Sequence, residues 1–164
     1  MTQQTPKVLV TICNYNHESY LEDSIKSIQN QKYTNLDICV VNDGTDNREQ
    51  FFDIVNKLSS EDKRIRYIDL EKNFGKWHGL NKAIETTDAL ICTSHDADDI
   101  SLKERINLQL LTLAKSNTQH NLCGFHHCWT DDDVNKNLDY AVNSTELKYI
   151  NPEQVRKFVF AGYN

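Results

Sequence analysis

The sequence has no apolar run near the roughly 20 residues that a membrane-spanning helix requires. Its N-terminus, "MTQQTPKVLV", lacks a charged segment followed by a long apolar stretch, so no secretory signal is expected. Proline (two residues) and glycine (five) are too scarce to build a flexible linker, and no repeat or low-complexity tract is present. One domain over residues 1–164 is therefore the simplest organisation, and that length suffices for one sizeable core. Excess positive charge is missing too. A formal net charge of −6 argues against broad nucleic-acid binding through phosphate neutralisation. It does not exclude a nucleotide held by a few local groups and a metal. The five cysteines (Cys13, Cys39, Cys92, Cys123, Cys128) are an odd set, mostly within apolar runs. That suits free buried thiols in a reducing compartment better than a disulfide framework. A cytoplasmic protein without a membrane span is expected, with peripheral membrane association left open.

What is present is an alternation of two periodicities. "KVLVTIC", "LDICVVNDG", "RIRYIDL" and "DALICTSH" read as strands, β-branched or alternating apolar and polar. Between them, "NYNHESYLEDSIKSIQNQ", "NREQFFDIVNKLSS" and "GKWHGLNKAIETT" carry apolar residues at helical spacing. "SLKERINLQLLTLAKS" predicts a further helix, with Ser101 as N-cap and Glu104 completing a capping box. "NLCGFHHCWT" reads as another strand. "NPEQVRKFVF" reads as a helix capped by Asn151, with Pro152 at its first position. Such alternation predicts a mostly parallel sheet covered by helices on both faces. Ligands in such folds sit beyond the carboxyl ends of the strands. Here those places are after Cys13, after Asn42, and at Asp96 to Asp99.

The last of these carries the densest charge. In "ICTSHDADDI" an apolar run meets three aspartates, whose mutual repulsion needs water, a cation or hydrogen bonds to relieve it. Asp96 and Asp98 are two apart, so continued strand geometry would put both on one face. Paired carboxylates there suit a hard divalent cation that also takes waters and phosphate oxygens. The alternative is a solvated acidic turn, with Asp99 favouring the dipole of the following helix. A calcium loop of the EF-hand type fails by position: Ser101 stands where glycine is needed and Asn107 where glutamate is needed. "CGFHHC" offers two Cys and two His but not the paired spacing of a zinc site. Trp77 and Trp129 read either as core or rim packing or as sugar platforms. Asp43, in "CVVNDGTDN", reads as an Asx-turn residue or as a carboxylate at the sheet's crevice.

From about Val8 to about Gln109 these segments together resemble the family 2 glycosyltransferases of the GT-A fold. "VLVTICNYNHESYLEDSIKSIQNQKYTNLDICVVNDGTDN" resembles the nucleotide-binding start of that family. "EKNFGKWHGLNKAI" is similar to its Asn-x-Gly segment, and "SHDADDISLKERINLQ" to its Asp-x-Asp segment. The resemblance implies a three-layer α/β/α GT-A (Rossmann-like) domain with a mostly parallel central sheet. It implies a nucleotide-sugar donor, a UDP-sugar, and transfer to a saccharide or other hydroxyl acceptor with inversion, as in polysaccharide biosynthesis. By the same resemblance Asn14 and Tyr15 line the base pocket and Asp43 contacts uracil or ribose. Asn73, Gly75 and Lys76 belong to the nucleotide site. Asp96 lies near ribose and diphosphate, and Asp98 is the more direct ligand of Mg²⁺ or Mn²⁺.

Two positions depart from the family pattern. Cys13 replaces the usual proline, and Leu80 replaces an arginine, leaving Lys76 or Lys82 to supply the cation. An inverting transferase also needs a carboxylate base downstream of Asp-x-Asp. Asp131 to Asp133 form the only later acidic cluster, which reads as a solvated loop, so the acceptor-binding part is expected to be truncated or shortened and the base is not assigned. Two other readings stand beside this one. One is a nucleotide-sugar and metal-binding module without activity. The other is a haloacid-dehalogenase-like phosphatase using Asp96 as nucleophile.

Overall fold

The computed structural model of the protein describes residues 5–116. The elements expected in "NLCGFHHCWT" and "NPEQVRKFVF", the "CGFHHC" cluster, Trp129 and Asp131 to Asp133 lie outside the described residues. Among the described residues four strands and four helices alternate: β1 (Val8–Asn14), α1 (Glu18–Gln29), β2 (Leu36–Asp43), α2 (Arg48–Glu61), β3 (Ile65–Leu70), α3 (Lys76–Glu85), β4 (Ile91–Asp96) and α4 (Arg105–Ser116).

All strand pairings are parallel, in the order β3-β2-β1-β4. The period-2 rule of a strand divides the core into two layers. Val8, Val10, Ile12, Ile38 and Val40 point to one face, with Leu21, Ile25 and Ile28 of α1, Phe51, Val55 and Leu58 of α2, and Ile106 of α4. Leu9, Cys39 and Val41 point to the other, against Ala83 of α3. The result is the expected α/β/α arrangement. β1 and β2 are buried nearly throughout because both their faces are covered, whereas β3 and β4, the outer strands among the described residues, alternate in exposure.

The chain runs outward from β1 to β2 to β3, then returns through α3 to place β4 on the other side of β1. This reversal creates the crevice of an open α/β sheet at the carboxyl ends of β1 and β4. Register makes those ends level: Cys13 pairs with both Val41 and Asp96.

Two docking arrangements complete this end of the sheet. Gly44, just past β2, has φ of +75°, and a Cβ there would lie 2.2 Å from the Lys72 carbonyl carbon. Only glycine lets the segment after β3 approach so closely. The acidic stretch after β4 is held by α1 and the residues just past its end. Ser24 Oγ donates to the Asp96 carbonyl (2.9 Å), the Ser101 N–H donates to Ser27 Oγ (3.0 Å), and Gln31 Nε2 donates to the Leu102 carbonyl (2.8 Å). Buried His95 joins them, its Nε2 being 3.2 Å from the Asp99 carbonyl and its Nδ1 3.4 Å from Ser101 Oγ. A carbonyl only accepts, so Nε2 carries the proton and Nδ1 accepts from the serine.

These contacts correct the expected start of the helix in "SLKERINLQLLTLAKS". Ser101 is not an N-cap, because α4 begins only at Arg105. Its N–H and hydroxyl are engaged by Ser27 and His95, and Glu104 pairs with Lys32 (2.9 Å) instead of closing a capping box. Asp99 is likewise too far upstream to favour that helix's dipole.

Gly44→Ala is expected to destabilise the fold by about 2 kcal/mol or more, from left-handed strain plus the backbone clash. Urea unfolding measures this, and an unchanged midpoint would refute the close-approach argument. Burial, then the Arg105 charge, lowers His95 to about 4 from its ordinary 6.5. Between those values the unfolded chain binds more protons than the native one. The His95 contribution is therefore complete above pH 6.5 and is lost as pH falls towards 4. Unfolding curves across this window should fall roughly 2–3 kcal/mol less for His95→Gln than for the parent. Equal slopes would show that the imidazole is not buried as described.

Candidate functional site

The loop leaving β1 is stitched to the loop leaving β2. Asn16 adopts φ of +59°, its N–H donates to Thr45 Oγ1 (2.9 Å), and its Oδ1 accepts from the Asp46 N–H (2.8 Å). Buried Glu18 accepts from Asn14 Nδ2 (2.6 Å) and also contacts the Thr45 hydroxyl. Behind them, fully buried Asn42 accepts from the Thr45 N–H (2.9 Å) and donates to Asp69 (2.8 Å). These side chains set the path of Asn14 and Tyr15. Tyr15 is 43% exposed, while Asn14 is buried. Asn14 Oδ1 is also buried and has no hydrogen-bond partner among the described residues.

Asp43 closes the opposite side. One carboxylate oxygen accepts from the Phe74 N–H (2.8 Å) and the other from the Gly75 N–H (2.9 Å). Asn73 Oδ1 accepts from the same Gly75 N–H (3.0 Å), so the Asn-x-Gly segment is pinned at successive backbone positions. Gly75, with φ of +90°, then turns the chain into α3, whose first residue is Lys76. Gly79, one turn on, packs α3 closely on Cys13 and Val41. Burial, then the Asp43 charge, pushes the Cys13 thiol up to about 11, so it stays protonated at neutral pH.

At the third place, β4 ends with Asp96 and the chain turns, the Asp99 N–H donating to the Asp96 carbonyl (3.2 Å). Strand geometry does not continue to Asp98. Even so, Ala97 is buried between two side chains that are about half exposed, Asp96 at 49% and Asp98 at 47%. Lys76 Nζ forms an ion pair with Asp96, and His17 Nδ1 lies 3.3 Å from Asp98. Asp99 has its carboxyl raised above the ordinary range, by burial first and then by Asp96 and Asp98, so the three carboxylates feel one another.

Among the described residues no three His, Cys, Asp or Glu side chains come together as a metal cage. Two exposed carboxylates fit a cation that completes its shell with water and phosphate oxygens, and do not fit a structural metal.

A recess of about 180 Å³ opens among Cys13, Asn14, Tyr15, Asp43, Asn73, Gly75 and Lys76. It is smaller than the roughly 300–1,000 Å³ of pockets that enclose a drug-sized ligand, so the described residues form an open recess. Six of the residues singled out from sequence thus share one surface, and Asp96 joins it through Lys76. Asp98 is on the same loop but does not line the recess. Lys82 is directed away, pairing with Glu85 at 2.9 Å. Trp77 is not core, being 71% exposed. Sequence reasoning missed the positioning roles of Glu18, Asn42 and Thr45 and the placing of His17 beside Asp98. "NDGTDN" held a signal for Thr45, a hydroxyl one residue after a turn glycine. His17 gave none.

Known proteins can be set beside this geometry. A glycosyltransferase of Haemophilus influenzae without an assigned role is 40% identical over 100 residues, covering 60% of this chain and 30% of that protein. The mannosyltransferase PcManGT of Pyrobaculum calidifontis, solved with GDP-Man and Mn²⁺, superposes with a TM-score of 0.61 at 22% identity, covering 70% of this chain and 34% of that one. Residues 1–349 of TarS from S. aureus, solved with UDP-GlcNAc, give a TM-score of 0.58 at 24% identity over 68% of this chain and 32% of that one. At such identities these structures establish the shared GT-A fold. The chain spans about a third of the length of the first curated relatives it matches. Residues 9–160 match Glycosyl transferase family 2, and the chain belongs to that family.

Proposed function

We propose that the chain binds a nucleoside-diphosphate sugar, a UDP-sugar, and takes part in transferring the sugar to a hydroxyl acceptor with inversion. The observation that carries this reading is the recess itself. It gathers an exposed tyrosine, a carboxylate held by two backbone N–H groups and a lysine at the carboxyl ends of parallel strands, where open α/β sheets take nucleotides. Tyr15 offers a face on which a base can stack. Asn14 lines the same recess, its Nδ2 held by Glu18. Asp43 already accepts two backbone N–H groups, and a carboxylate has lone pairs left for a ribose hydroxyl. Asp96 and Asp98 are the side chains that would hold Mg²⁺ or Mn²⁺. When bound, that cation would neutralise charge developing on the departing diphosphate. Lys76 adds a positive charge at the same edge of the recess. No described residue is assigned as the base that deprotonates the acceptor. A cytoplasmic setting accords with these readings, and among the described residues no helix is long and apolar enough to cross a membrane.

Calorimetric titration of the full chain with UDP and GDP, with and without Mn²⁺, tests the reading. UDP binding is expected to depend on Mn²⁺ and to weaken roughly tenfold or more in Asp98→Ala, a loss of about 1.4 kcal/mol. A folded sample that binds neither nucleotide would sink the proposal. Release of UDP from UDP-sugars in the presence of saccharide acceptors then separates a transferase from a binding module.

A further inference from the structure

The ion pair between Lys76 and Asp96 joins a lysine that the nucleotide-sugar reading assigns to the nucleotide to a carboxylate that it assigns to the metal, with Asp98, as well as to the ribose and diphosphate. We infer that Lys76 is a tethered cation that occupies Asp96 until a diphosphate draws it away, so that divalent-metal binding at Asp96 is coupled to nucleotide binding. The inference rests on the nucleotide-sugar reading and adds to it an order of events within the site.

The backbone of Lys76 is fixed. It is the first residue of α3, directly after Gly75, whose N–H is held by Asp43 (2.9 Å). Its side chain is a flexible four-carbon stem ending in a point charge. Nζ reaches Asp96 at the carboxyl end of β4, and the same side chain lines the recess. The ammonium therefore has two destinations from one anchored position. An ammonium held on one carboxylate oxygen repels a divalent cation that approaches the other, so the two compete for Asp96 through their charges. The pair is partly exposed, with side chains 39% and 49% accessible, so it is an exchangeable contact and not a buried lock. A diphosphate presents more negative charge to the ammonium than one carboxylate does, which favours the transfer. Among the described residues, Lys82 pairs with Glu85 and Lys72 lies over the Phe74 ring. Asp98 faces His17 at 3.3 Å and, among the described residues, pairs with no lysine.

Mn²⁺ titrations of the full chain, with and without saturating UDP, decide the matter. The comparison runs across the parent, Lys76→Met and the same-helix control Lys82→Met. Without UDP, Lys76→Met should bind Mn²⁺ roughly fivefold more tightly than the parent, the order set by losing one competing surface ion pair. With UDP bound, that gain should vanish, because the parent's lysine has already left Asp96. Lys82→Met should match the parent in both states. A gain of equal size in both nucleotide states would mean a general change of field, and no gain in either would mean no competition; each outcome overturns the displacement. Failure of UDP to bind the parent in the presence of Mn²⁺ is a separate result, and it removes the nucleotide-sugar reading itself.

Discussion

The carboxylate of Asp43, received by the backbone N–H groups of Phe74 and Gly75, is the contact on which the candidate site depends. It joins the end of a central strand to the segment that starts α3. Gly44 beside it removes the one Cβ that would keep the two backbones apart. Without this junction Asn73, Gly75 and Lys76 would not face the ends of β1 and β2. Hydrogen bonds from backbone donors to an ionised acceptor are among the stronger ones, and Asp43 is almost fully buried. A residue that sequence reasoning assigns to ligand contact thus also carries a structural duty.

Charge balance supplies the second constraint. Three carboxylates within four residues repel one another, as the raised Asp99 carboxyl records. Their relief comes from the Lys76 and Arg105 charges, while hydrogen bonds with Ser24, Ser27 and His95 fix the backbone beneath them. The loop is thereby held in place while Asp96 and Asp98 stay half exposed. Such a design suits a site that exchanges its counter-ions, whereas a permanent metal cage would bury more ligands.

Much of the fold was legible because the central strands are β-branched runs with both faces buried, and the helices carry apolar residues at helical spacing. The strand-end rule picked out the places after Cys13 and after Asn42, whereas Asn73, Gly75 and Lys76 came only from the family resemblance. Failures arose where a tertiary partner outcompeted a local signal. Ser101 and Glu104 match a capping box, yet Ser27, His95 and Lys32 take their polar groups and delay the helix to Arg105. Lys82 and Lys76 looked equivalent as cations, but six residues along a helix separate their directions widely. Trp77, an apolar side chain by composition, stands exposed at the first turn of α3.

The sequence by itself determined the element types, the two faces of each central strand, and the segments that could carry chemistry, because these depend on periodicities of a few residues. Only the tertiary structure decided that β4 lies beside β1 and that α3 crosses back over the sheet. That choice brings Lys76 to Asp96 and His17 to Asp98. Contacts between residues 20 or more positions apart follow from strand order and from how helices seat on a twisted sheet. Those are outcomes of packing the whole core, and no local stretch of the chain encodes them alone.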